Sequence, residues 1–109
     1  MGVDIGILAR NLRLFRALLG MTQEEFSKQL GLNRTTISAL ECGNKASNSV
    51  YFKIYFLFSK YKEEVENIEN KTLDHNMCLQ ILNETLREID KIIENERDSY
   101  QKKIKPNKN

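Results

Sequence analysis

Apolar residues recur along this chain at helical spacing, and the breaks between the stripes mark where helices end. Ile5, Leu8, Leu12, Phe15 and Leu19 follow one another at steps of three and four, the spacing of one helical face. Asp4 is placed to cap the start of this helix, and Gly20 to take the left-handed backbone at its end. Thr22-Gln23-Glu24-Glu25 has the spacing of a capping box, so a second helix begins there, turns Phe26 and Leu30 inward and stops at Gly31. Asn33 offers the cap of a third short helix, with Ile37 and Leu40 as its apolar edge and Gly43 as its stop. The polar stretch Asn44 to Ser49 reads as a loop. Val50 to Tyr61 predicts a fourth helix, although its aromatic content would also suit a strand, and Phe52, Tyr55 and Phe56 are expected in the core. Glu63 to Lys71 is charged and reads as a short helix or hinge. From Thr72 to Ile104 there is neither glycine nor proline, and Pro106 provides a stop.

Within that last run Leu79, Leu82, Leu86, Ile89 and Ile93 step by three and four as the a/d seam of a coiled coil, widened by Ile81 and Ile92. A helix of this length spans roughly 50 Å, more than a core of about 60 residues can cover, so the seam is expected to pair with a second copy of itself. Glu84, Glu88 and Asp90 are expected on the solvent face of that helix. The reading is all-α: a helical domain over residues 1–62, a hinge or short helix over 63–71, an oligomerisation helix over 72–104 and a polar tail over 105–109. Two or four chains could assemble through the seam, parallel or antiparallel, and folding back onto the chain's own fourth helix is a further arrangement the pattern permits.

Composition supports helices and narrows the chemistry. There is one proline and no tryptophan among 109 residues, with 29% charged residues. Net charge is only +2, yet residues 1–62 carry nine bases and four acids, and residues 63–109 eight bases and eleven acids. The first part suits a polyanion and the second would be repelled by one. Cys42 and Cys78 form no CxxC pair, which fits a reducing cytoplasm better than a disulfide framework or a zinc site. His75 and Cys78 are three apart with nothing to complete a metal set, so a solvated histidine and an idle or buried thiol are expected. Cys42, near the end of the third helix, would sense redox state only if exposed and acidified. With one histidine, no phosphate-cradling glycine loop and no nucleophile elbow, neither an enzyme nor a cofactor is expected. "VYFKIYFLF" is far too short to cross a membrane, and no secretory leader is visible.

The stretch "QEEFSKQLGLNRTTISALECG" therefore holds two helices of about two turns joined by a glycine turn, a helix-turn-helix. Ser27 is small where the two helices must approach, and Gly31 accepts the positive φ of the turn. Arg34, Thr35, Ser38 and Ala39 are left on the outer face. In its "TQEEF", "QLG", "TTIS" and "LE" positions this stretch resembles the helix-turn-helix of the phage repressor and Cro family of transcription regulators, over Leu12 to about Ala46. Ser27 stands where alanine is commonest in that family, and Cys42 where asparagine is frequent.

The resemblance implies a lambda-repressor-like domain, with double-stranded DNA as partner. It places Arg34, Thr35, Thr36, Ser38 and Ala39 at base-reading positions, and Thr22, Gln23, Asn33, Asn44 and Lys45 at phosphate-contacting ones. It pairs Arg16 with Glu41 in an internal salt bridge. The function so implied is sequence-specific regulation, as a repressor, by a homodimer on a palindromic operator. An adaptor or antitoxin, whose C-terminal helix binds a different protein, is the alternative.

Overall fold

The computed structural model describes residues 5–69 and 73–104, and among them all regular structure is helical. The helices are α1 (Ile5–Leu19), α2 (Gln23–Leu30), α3 (Arg34–Glu41), α4 (Asn48–Glu66) and α5 (Leu73–Ile104). Asp4 and the tail after Ile104 lie outside the described residues.

α1 is central because it is apolar on more than one side. Leu8, Leu12 and Phe15 are buried, as are Ala9 and Asn11 beside them. α3 packs on one flank of α1 and α5 on another, while α4 closes over α5. The first helix ends where expected, at Gly20 with φ +69.

α2 starts at the capping box. Thr22 Oγ1 accepts from the Glu25 amide at 3.1 Å, and the Glu25 carboxylate accepts from the Thr22 amide at 2.9 Å. It ends at Gly31, whose φ of +68 lets the Leu32 amide reach back to the Ser27 carbonyl at 2.8 Å. Ser27 is buried and donates its hydroxyl to the Glu24 carbonyl at 2.7 Å, so no polar atom is stranded at the close approach. Phe26, Leu30, Ile37 and Leu40 all join the core.

The fourth helix departs from expectation in its bounds and in its facing. It begins at Asn48, with Ser47 at the N-cap backbone position but making no side-chain capping bond, so the connecting loop is two residues shorter than the polar composition suggested. It also runs to Glu66, so the first four residues of the expected short helix or hinge continue α4. Its buried side chains are Tyr51, Ile54 and Phe58, whereas Phe52 is 55% and Phe56 70% exposed and Tyr55 is half-buried. Phe58 decides the facing: its ring lies 4.8 Å from Phe15 and 6.4 Å from Phe26, and Phe15 meets Tyr61 edge-on at 5.1 Å. Tyr51 adds a polar anchor by accepting the Ala46 amide at 3.0 Å, which ties down the loop before the helix.

α5 folds back on its own chain. Leu82 and Ile89 of the expected pairing seam are fully buried, with Ile81 and Ile92 nearly so, while Leu79, Leu86 and Ile93 are half-buried. α1 and α4 together line the face that a single helix could not, so Leu82 and Ile89 belong to this chain's core. Of the acids expected on the solvent face of α5, Asp90 is exposed, whereas Glu84 and Glu88 are less solvated than expected. Glu88 is buried and takes Lys91 Nζ at 3.4 Å, while Glu84 accepts from Arg10 at 2.9 Å and Asn11 at 3.1 Å. His75 is buried rather than solvated, and the Cys78 thiol is pushed up by burial and by the nearby Asp74 charge. Thr85, also buried, donates its hydroxyl to the Ile81 carbonyl at 2.8 Å within its own helix.

Candidate nucleic-acid interface

The site is built on Glu41, the last residue of α3. Its side chain is buried and would be costly there unless paired. Arg16 of α1 provides the pairing as a two-pronged fork, with Nε 2.8 Å from one carboxylate oxygen and Nη2 3.0 Å from the other. Burial alone would raise the Glu41 carboxyl. The bonds from Arg16 and Gln23, with the charges of Arg16 and Arg13, outweigh it and hold the group below the ordinary carboxylate range. The same contact raises Arg16 above its usual value.

Two further ties run through this point. Arg16 Nη1 donates to the Met21 carbonyl at 3.0 Å, fixing the turn before α2. Arg13 donates to the Glu41 carbonyl, engaging the C-terminal end of α3. Arg13 was not singled out from sequence. Its signal is the run Arg10, Arg13, Arg16, three bases at steps of three on one flank of an otherwise apolar helix.

Gln23 carries the network outward. Its Nε2 donates to Glu41 at 3.0 Å, which fixes the amide so that Oε1 faces the opposite way and accepts from Arg34 at 3.4 Å. The first residue of α2 is thereby set beside the first residue of α3. The chain from Arg16 through Glu41 and Gln23 to Arg34 runs from a partly buried ion pair to an exposed guanidinium with further donors to spare.

Of the five expected base-reading residues, Arg34 and Thr35 are exposed at the start of α3, and Thr36, Ser38 and Ala39 are half-buried. The exposed pair has the reach, and the others offer small, close surface. Thr22, Asn33, Asn44 and Lys45 are all exposed at the helix ends around them, and Gln23 is half-buried. Asn33 occupies the N-cap backbone position of α3, but its side chain makes no capping bond. The Asn44 amide donates to the Ala39 carbonyl at 3.0 Å, holding the following loop against the end of α3. Cys42 is exposed beside it. Among the described residues no group of three metal-binding side chains occurs, and no helix is long and apolar enough to cross a membrane.

Residues 12–54 match the family model described as helix-turn-helix. A protein of Neisseria meningitidis serogroup B, described as a Neisseria hypothetical transcription factor, is 54% identical over 35 residues, a match covering 32% of this chain and 33% of that protein. The chain thus aligns with about a third of the length of that relative. No solved structure matches the chain. The matched segment contains α2, α3 and every residue of the network from Arg13 to Glu41, and it stops before α5. The segment from the second half of α1 to the early turns of α4 is thus similar to the helix-turn-helix of that family.

Proposed function

We propose that this chain is a sequence-specific DNA-binding transcription regulator that acts as a homodimer on an approximately palindromic operator. The observation that carries the reading is Arg34, exposed at the start of α3 and set in place by Gln23, which Glu41 in turn orients. A guanidinium so placed can donate twice to guanine O6 and N7 in the major groove. Thr35 and Ala39 offer methyl surface to thymine, and Ser38 and Thr36 add hydroxyls. Thr22, Gln23, Asn33, Asn44 and Lys45 surround this face and would hold phosphates, fixing register without reading sequence. The excess of bases in residues 1–62 supports the same face, and the Neisseria relative's description as a transcription factor agrees with it.

Occlusion of a promoter by the bound dimer is the simplest mode of action, hence a repressor, working in the cytoplasm or nucleoid. Two half-sites about 34 Å apart would present the same groove face to both copies.

The test is selection of bound sequences from a random duplex pool at two salt concentrations, followed by Arg34→Ala on the selected site. The expected outcome is a palindrome, with about tenfold or more weaker binding to it by the variant and little change on random DNA. Salt-sensitive binding without a motif would sink the reading, and an equal loss on random DNA would remove Arg34 from the base-reading role.

A further inference from the structure

Among the bases of α4, Lys53 is the one whose head group is held in a defined place: its Nζ donates to the Gly31 carbonyl at 3.2 Å. Gly31 makes the turn between α2 and α3, so α4, which packs on α2, sets a positive charge beside that turn. Stability alone does not account for the contact. α2 already ends through two backbone bonds, from the Gly31 amide to the Lys28 carbonyl at 3.2 Å and from the Leu32 amide to the Ser27 carbonyl at 2.8 Å. Gly31 and Lys53 are both exposed, so water could serve that carbonyl as well. Ordering a lysine costs side-chain freedom comparable to what one exposed bond to a neutral carbonyl returns.

What the contact leaves over is charge. The ion pairs among the described residues are Arg10 with Glu84, Arg16 with Glu41 and Lys91 with Glu88, so no carboxylate there neutralises Lys53. An ammonium has three N–H donors, and the Gly31 carbonyl takes one. The turn it flanks leads straight into the candidate reading face: Asn33 and Arg34 follow Gly31 closely, both are exposed, and the Asn33 side chain makes no capping bond.

We propose that Lys53 holds a DNA phosphate beside the start of α3, a contact supplied by α4 and fixed in place before DNA arrives. The inference deepens the proposed reading and rests on it for DNA as the partner. A charge ordered in advance loses less freedom on binding than a free lysine does, so the Gly31 bond serves affinity more than folding. Lys53 meets phosphate as a point charge, so it strengthens binding to every duplex and reads no sequence.

The test is binding of the full chain to its selected site and to a random duplex, by fluorescence anisotropy across a series of salt concentrations. Lys53→Gln keeps a donor for the Gly31 carbonyl and removes the charge. It should weaken binding to both duplexes by the same factor and make the slope of log affinity against log salt shallower by about 0.9 per bound copy. Between about 50 and 200 mM salt, the parent's affinity should therefore fall about 3.5-fold further than the variant's, per bound copy. Lys53→Arg should keep the parent slope, and the urea midpoints of all three chains should agree closely. A slope unchanged in Lys53→Gln overturns the proposal, whether or not the urea midpoint falls. A loss confined to the selected site also overturns it, since Lys53 would then position the turn and not hold phosphate. Salt-sensitive binding without a selected motif, with the slope still shallower in Lys53→Gln, upholds the contact and removes the sequence-specific regulator. A parent chain that binds neither duplex removes both.

Discussion

The helix pair α2–α3 and the helix pair α4–α5 both pack against α1, but they are held in different ways. α2 and α3 have eight residues each, too few to be stable as isolated helices, and their positions are fixed by directional bonds. The capping box starts α2, the Gly31 turn ends it, and the Glu41 network joins α3 to α1 and to the first residue of α2. α4 and α5 have 19 and 32 residues and are held mainly by apolar burial, with few polar ties to the rest of the chain. Apolar contact is strong but tolerant of small slides, whereas a forked ion pair fixes orientation. The molecule thus obtains mass from one pair and precision from the other, and the precision lies where the candidate reading face is.

The comparison is tested most forcefully at Phe58, where the two modes meet. Its ring is fully buried and touches Phe15 of α1 and Phe26 of α2. Phe58→Ala should cost about 3–5 kcal/mol, a loss of the whole fold's stability measurable by urea titration. A loss confined to α4 and α5, with the amides of α2 and α3 keeping their exchange protection, would show that the short pair stands independently and would break the comparison.

Glu41→Gln addresses the short pair alone. The amide preserves shape but not charge, so the Arg16 fork loses its charge-assisted partner at a cost of about 1–3 kcal/mol near neutral pH. The pH dependence supplies the sign. Glu41 is held below its ordinary value in the folded chain, so it binds fewer protons folded than unfolded. The stability this contributes is complete above the ordinary carboxylate range and is lost as pH falls through the depressed folded value. The stability gap between parent and variant should therefore close in acid, read from unfolding curves at a series of pH values. A gap that stays constant with pH would mean that the carboxylate charge is not what holds α3.

How much of this was legible beforehand follows the same division. Thr22, Glu25, Gly31 and Gly43 act within a few residues of themselves, so the sequence around them reveals both the elements and their ends. In α4 the run "YFKIYFLF" offers apolar side chains at almost every angle, and periodicity could not choose Tyr51, Ile54 and Phe58 over Phe52 and Phe56. Contact with Phe15 and Phe26 made that choice, and no local signal encodes it. The a/d stripe of α5 showed that a partner was needed but not that α1 and α4 would provide it. Glu88 and His75 were expected in water because their types usually are, yet neighbouring packing covers them. The candidate reading residues were legible only as positions in a motif. That Gln23 joins Glu41 to Arg34 requires the three-dimensional distances.

The smallest effect tests whether polar contacts matter equally in the long pair. Arg10 donates to Glu84 at 2.9 Å across 74 residues of sequence, a tie between α1 and α5 that looks as specific on paper as Arg16 to Glu41. Its setting is different: the two side chains are 51% and 34% exposed, against 23% and 4% for Arg16 and Glu41. Water and salt screen the outer pair, and holding two long side chains in one geometry costs entropy, so such contacts usually contribute about 0–1 kcal/mol. Asn11 also still donates to Glu84 at 3.1 Å when Arg10 is removed, so the carboxylate keeps a partner. Arg10→Ala should accordingly move the urea midpoint slightly, and less at high salt than at low. A loss approaching that of Glu41→Gln would place directional bonding in both helix pairs and erase the distinction between them.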